Sequence, residues 1–118
     1  MSQDYPVFVY GTLKRGCCNH KLLKDFKAFK AKAPGIELHE GPGYPYAVRG
    51  KGIIFGELYF IDTKTLKKLD DLEEHPNYYV RQKTKVIILP DNREIEAWIY
   101  LNNEAIKWPK IETGVWNC

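Results

Sequence analysis

The sequence has little cysteine, little net charge and no long apolar run. Only three residues are cysteine, an odd count, and two of them, Cys17 and Cys18, are neighbours. Adjacent cysteines seldom bridge, because the small ring strains the intervening peptide. A disulfide framework is therefore not expected. Cys17, Cys18 and His20 supply three soft ligands, but no fourth stands at zinc-site spacing, so no metal is expected. The net charge is +3, from 18 basic and 15 acidic side chains. That is too small to argue for nucleic acid, and no RNA-binding motif accompanies it. No apolar stretch reaches the ~18 residues of a membrane span. The opening Met1 to Pro6 has no basic region followed by an apolar segment, so no secretory leader is read there and a cytoplasmic location is expected. Neither GxxxxGK[ST] nor GxGxxG occurs, which excludes the usual phosphate and dinucleotide loops.

What is present fits one small domain, residues 1–118. A chain of 13.8 kDa can bury about two-thirds of its surface, enough for a single core. Aromatics make up 14%, with eight tyrosines, which is rich for this size. Tyr5 to Tyr10 reads as a strand ended by Gly11, and residues 11–20 as a loop. Lys21 to Lys30 fits a short amphipathic helix, with Leu22, Leu23, Phe26 and Phe29 near one face. The Gly and Pro residues from Pro34 to Pro45 predict short extended pieces and turns. Ile53 to Ile61 reads as a strand whose Gly56 suggests a bulge or close backbone approach. Thr63 to Glu74 is the clearest helix, with Asp62 as its N-cap. Tyr78 to Leu89 and Ile95 to Leu101 form a hairpin across the turn at 90–93. The tail from Asn102 is irregular and is expected to cover the sheet with Trp108 and Trp116. The fold class is α+β: a small mixed, barrel-like sheet of five or six strands with two short helices.

Three features carry chemical information. Residues 14–32 hold seven Lys/Arg and one acid, Asp25. This segment is either a patch for an acidic partner or the solvated face of a short helix. The turn Tyr10-Gly11-Thr12-Leu13 follows a strand directly, where backbone N–H groups form either an anion-binding nest or an ordinary turn. In the second helix, Leu66, Leu69 and Leu72 define the apolar stripe. At ~100° per residue, Glu73 falls about 40° from the stripe's centre, whereas Asp70, Asp71 and Glu74 lie about 100° or more away. Those three read as solvated. A carboxylate on the apolar side has its pKa raised by desolvation, as a general acid/base requires. The alternative is that Glu73 bends to solvent or to a cation such as Arg81. His20 and His75 are bases by type, but both sit in turns and are assigned surface or capping roles.

Phe8-Val9-Tyr10-Gly11-Thr12-Leu13-Lys14-Arg15-Gly16, followed by Asn19-His20, resembles the opening of the γ-glutamylcyclotransferase-like superfamily. The nearest branch is the γ-glutamylamine cyclotransferases, the avirulence-induced-gene-like group. Leu69-Asp70-Asp71-Leu72-Glu73 with Pro76, Tyr79 and Arg81, then Ala97-Trp98-Ile99-Tyr100 and Thr113-Gly114-Val115-Trp116, are similar to that group's later segments. The resemblance implies a small mixed barrel and the conversion of a γ-glutamyl amine into 5-oxoproline and a free amine. It implies Glu73 as acid/base, the residue that the helical wheel singles out. It implies Tyr10, Gly11, Thr12 and Leu13 as the binding loop for the glutamyl end, and Tyr100 as a pocket tyrosine. Tyr79 and Arg81 are expected to support these from behind. The implied reaction needs no metal or cofactor, and the implied partner is a small γ-glutamyl molecule.

Two other readings stand beside this one. The first is a cyclotransferase for γ-glutamyl amino acids or a γ-glutamyl-protected metabolite. The second is a non-catalytic pocket protein that binds a small acidic ligand.

Overall fold

The computed structural model describes residues 5–118. Met1 to Asp4, most of the stretch read above as lacking a leader, lie outside the described residues. Five strands close into a barrel: β1 (Tyr5–Val9), β2 (Phe29–Glu40), β3 (Pro45–Ile61), β4 (Val80–Ile88) and β5 (Arg93–Leu101), in the order β1-β3-β2-β4-β5. All neighbours are antiparallel except β1 and β5, which close the barrel in parallel at Val7 and Trp98. Helix α1 (Thr63–Leu72) connects β3 to β4. This is the mixed α+β barrel expected from the sequence, with one α-helix rather than two.

The alternating strand pattern divides the apolar residues into two layers. Phe8, Tyr10, Ala33, Leu38, Ala97, Ile99 and Leu101 belong to the cluster that fills the barrel. Val7, Val9, Tyr79 and Tyr100 belong to a second cluster, with Leu66 and Leu69 of α1 and Leu23. Both faces of β1 are thus covered, which explains its continuous apolar run. Asp62 caps α1 as expected, its carboxylate accepting from the Thr65 N–H at 2.8 Å. Leu66 and Leu69 are buried, whereas Leu72 is 38% exposed at the helix end.

Three expectations are corrected. The helix predicted over Lys21 to Lys30 does not form. The chain there makes one 3₁₀ turn (His20–Leu22) and further i→i+3 turns, Leu23 N–H to His20 O and Phe26 N–H to Leu23 O. From Phe29 it is already paired with Leu58 in the sheet, so barrel pairing overrides a weak local helical pattern. The broken stretch around Pro34 and Gly35 is instead one 12-residue strand. Its register with β3 shifts between Pro34 and Ile36, with Gly35 at φ +76°. A bulge thus absorbs both the missing Pro N–H and the left-handed residue. Finally, Cys17 does bridge, to Cys118, 101 residues away. Chain distance carried no signal for that pair.

Gly56 behaves as anticipated. A Cβ there would collide with the Val9 carbonyl oxygen of the neighbouring strand. The tail packs Trp116 into the barrel cluster, and its Nε1 donates to Glu40 at 3.2 Å. Trp108 stays 36% exposed and stacks on Tyr46.

Candidate active site

A cavity of about 310 Å³ opens beside the end of β1. Three elements build it. The chain leaving β1 contributes Tyr10 to Leu13, the turn before β3 contributes Gly43 to Pro45, and the C-terminal end of α1 with the following turn contributes Leu72 to Glu74 and Tyr78 and Tyr79. Tyr100 enters from β5. The approach is close: a Cβ on Gly11 would stand 2.9 Å from Pro45 Cγ. Glycine at this position lets the β1 turn and the β3 turn share one wall.

Glu73 is the C-cap of α1, its backbone N–H bonded to Leu69 O at 2.9 Å. Its side chain lines the cavity. Burial pushes its pKa up to about 7, and burial alone accounts for the rise. Arg81, the cation that could have claimed it, is engaged elsewhere. The guanidinium grips Asp70 in a fork, Nε to Oδ1 at 2.8 Å and Nη2 to Oδ2 at 3.0 Å, and lies 4.3 Å from the Trp98 ring centroid. Asp70 was read from the wheel as solvated; that is corrected here. It is half-buried, and it also accepts from the Tyr100 hydroxyl at 2.7 Å. Burial alone would raise the Asp70 pKa, but the Arg81 and Tyr100 hydrogen bonds outweigh it and hold the carboxyl below its ordinary value.

The turn after β1 is held by its own side chains. Asn19 donates twice to Thr12, from its backbone N–H to the carbonyl at 2.9 Å and from Nδ2 to Oγ1 at 2.9 Å. Lys14 N–H closes onto Gly11 O at 3.0 Å. The N–H groups of Gly11, Thr12 and Leu13 donate to no other protein group among the described residues. They are the free donors that an anion would need.

Three tyrosines in the lining spend their hydroxyl protons on the barrel itself. Tyr10 donates to Tyr100 O at 2.5 Å, Tyr79 to Pro45 O at 2.8 Å, and Tyr100 to Asp70. Burial raises the pKa of all three, and the Glu73 charge adds to it, so they stay protonated. Tyr78 bonds the Tyr46 hydroxyl and stands at the cavity rim with Tyr44.

Glu73, Tyr10, Gly11, Thr12, Leu13, Tyr79 and Tyr100 are therefore brought to one cavity, while Arg81 stands behind it on Asp70. The turn residues Gly43, Tyr44 and Pro45, together with Tyr78 and Asn19, were missed. The density of Tyr and Gly at 43–46 was the available hint, but nothing local ties that turn to β1. The two histidines considered as bases by type contact main-chain groups. His20 Nδ1 lies 3.1 Å from Leu13 O, and His75 Nδ1 accepts the Arg81 backbone N–H at 3.0 Å. No group of metal-binding side chains occurs among the described residues.

Residues 7–118 match the family model described as γ-glutamyl cyclotransferase, AIG2-like. A Methanocaldococcus jannaschii protein with the provisional name γ-glutamylcyclotransferase is 45% identical over 103 residues, covering 84% of this chain and 85% of that protein. The γ-glutamylaminecyclotransferase of Bos taurus is 33% identical over 112 residues, covering 80% of this chain and 64% of that protein. Among solved structures, an AIG2-like protein from Mus musculus superposes with a TM-score of 0.80 at 26% identity, over 96% of this chain and 88% of that one.

Proposed function

This chain belongs to the γ-glutamyl cyclotransferase, AIG2-like family, and from that premise we propose that it releases 5-oxoproline and a free amine from a γ-glutamyl amine such as ε-(γ-glutamyl)-lysine. The observation that carries the reading is Glu73: a half-buried carboxylate lining the cavity, without a cationic partner among the described residues and pushed up to about 7 by burial. A group poised near neutral pH can both take and return a proton.

In the proposed reaction the substrate's α-ammonium gives a proton to the Glu73 carboxylate. The free amine attacks the γ-carbonyl carbon, and a new C–N bond closes the five-membered ring. Glu73 returns its proton to the leaving nitrogen, the old amide C–N bond breaks, and the expelled amine takes up the second proton shed by the ring nitrogen. Attack within one molecule supplies proximity that is worth ~7–11 kcal/mol when the groups are well oriented. The free N–H groups of Gly11 to Leu13 hold the α-carboxylate or the developing oxyanion. A lost donor of the latter kind costs about 2.7–4 kcal/mol.

The test is mass-spectrometric detection of 5-oxoproline after incubation with ε-(γ-glutamyl)-lysine and a panel of γ-glutamyl amino acids, with Glu73→Gln alongside. Product from the wild type alone supports both the reaction and the role of Glu73. The preferred panel member identifies the leaving group. Turnover by Glu73→Gln would reject the assignment, and a silent panel would favour a pocket that only binds.

A further inference from the structure

The turn that presents the free N–H groups of Gly11, Thr12 and Leu13 is fastened to the tail of the chain. Within the turn, backbone bonds run from Lys14 N–H to Gly11 O, Cys17 N–H to Lys14 O, Asn19 N–H to Thr12 O and His20 N–H to Cys17 O. Two contacts then leave it for the tail. The Lys14 ammonium donates to Trp116 O, and Cys17 is bridged to Cys118. The tail is itself anchored: Trp116 is buried in the barrel cluster, and Gly114 O accepts from the Phe55 N–H of β3 at 2.9 Å. Only Asn117 separates Trp116 from Cys118, and two residues of chain reach at most about 7 Å.

This arrangement couples two motions that would otherwise be independent. With the bridge closed, the turn cannot swing beyond that reach unless Trp116 leaves the barrel with it. With the bridge open, the turn opens alone, breaking only its own backbone bonds and the Lys14 contact. The bridge is accessible to small thiols, because Cys118 is exposed and Cys17 half-buried. Reduction by a dithiol breaks the Sγ–Sγ bond. Two electrons and two protons pass to Cys17 and Cys118, leaving two thiols, and the dithiol closes to its own disulfide. We propose that the Cys17–Cys118 bridge is a redox clamp on the site: oxidised, it holds the turn that presents Gly11 to Leu13, and reduced, it lets that turn open locally. That this turn binds a γ-glutamyl group rests on the function proposed above. The coupling of turn to tail does not.

Opening the turn takes N–H donors away from the cavity without disturbing Glu73, which stands at the end of α1. Substrate then binds only those molecules in which the turn is ordered, so KM rises by the reciprocal of that fraction. A turn ordered in about one reduced molecule in ten raises KM about tenfold. The turnover number kcat is unchanged, because every molecule that has bound substrate has its turn in place.

The experiment is amide hydrogen exchange on the full chain, before and after reduction with dithiothreitol, over urea concentrations below the unfolding transition. The urea dependence of exchange reports how much surface each opening exposes. In the oxidised chain the Lys14, Cys17, Asn19 and His20 amides should show a steep dependence, like the paired amides of β4 and β5, because they open only with the barrel. After reduction their exchange should lose its urea dependence and approach the rate of an open chain, while the β4 and β5 amides keep theirs. Cys118→Ser should behave as the reduced chain does, without any reductant. Steady-state release of 5-oxoproline should show the rise in KM at constant kcat. Turn amides that are urea-independent before reduction, or steep after it, would overturn the clamp. So would an unchanged KM, or loss of protection throughout the barrel, which would make the bridge a support of the whole fold. The expected exchange pattern without 5-oxoproline from any γ-glutamyl substrate would leave the clamp standing and reject the proposed reaction.

Discussion

The Tyr10 hydroxyl, just past the end of β1, donates to the main-chain carbonyl of Tyr100 on β5, 90 residues later, at 2.5 Å. This bond ties the two strands that close the barrel in parallel, and both residues line the cavity. A barrel seam and a site wall are therefore one structure. Tyr10→Phe would leave a buried carbonyl without its donor, at a cost of about 1–3 kcal/mol. Urea denaturation should show that loss. An unchanged midpoint would mean that the seam does not depend on the bond.

Glu73 should cost stability. Its carboxyl titrates near 7 in the folded chain against an ordinary value of 4.5. Between those values the folded state holds the proton that the unfolded state has lost. Stability therefore falls as pH rises through this window, and the full penalty is present above about 7. Glu73→Gln should gain about 1–3 kcal/mol over wild type at alkaline pH and lose that advantage below pH 4.5. Melting curves of both proteins at several pH values check this. Parallel pH dependences would show that the carboxyl is not buried.

The same substitution should remove turnover by a factor on the order of 10²–10⁴, the usual contribution of a positioned acid/base. In the wild type, kcat/KM for 5-oxoproline release should rise with pH up to about 7, because the carboxylate must be ionised to accept the first proton. A flat profile through that region would disconnect Glu73 from the rate.

Gly56 has no room for a methyl group. Gly56→Ala would drive a Cβ into Val9 O and against the end of the Phe8 ring, 3.0 Å away. Overpacking between paired strands should cost about 2–3 kcal/mol, read as a lower denaturation midpoint. Gly43→Ala is the comparison: unlike Gly56 it has a positive φ, of 86°, but nothing lies within 4 Å of its added Cβ. A smaller loss at Gly56 than at Gly43 would contradict the close approach of β1 and β3.

The Cys17–Cys118 bridge joins the turn after β1 to the chain's last residue, leaving Cys18 free and exposed. Unreduced, denatured protein should react as one thiol and reduced protein as three. Closing a loop this long stabilises by roughly 4–5 kcal/mol in the chain-entropy picture, so Cys118→Ser should melt markedly lower. Three reactive thiols before reduction would remove the bridge.

Local sequence alone determined much of this protein. The strand at Tyr5 to Tyr10, the Asp62-capped helix and the β4–β5 hairpin follow from alternation, capping and turn residues, all set within a few positions. The helical period alone placed Glu73 towards the core, because its neighbours Leu66 and Leu69 fix which side is buried. Tertiary structure decided the rest. β2 forms across Pro34 and Gly35 because pairing with β3 outweighs local preference and a bulge absorbs the misfit. Asp70 lies about 100° from the stripe on a wheel, yet Arg81 and Tyr100 arrive from other strands and half-bury it. Cys17 meets Cys118, and Pro45 meets Gly11, only because the barrel closes. A helical wheel knows one element, whereas a polar group's partners come from the elements packed against it. Side-chain direction was therefore legible in the sequence, and the hydrogen-bond polarity of the site was not.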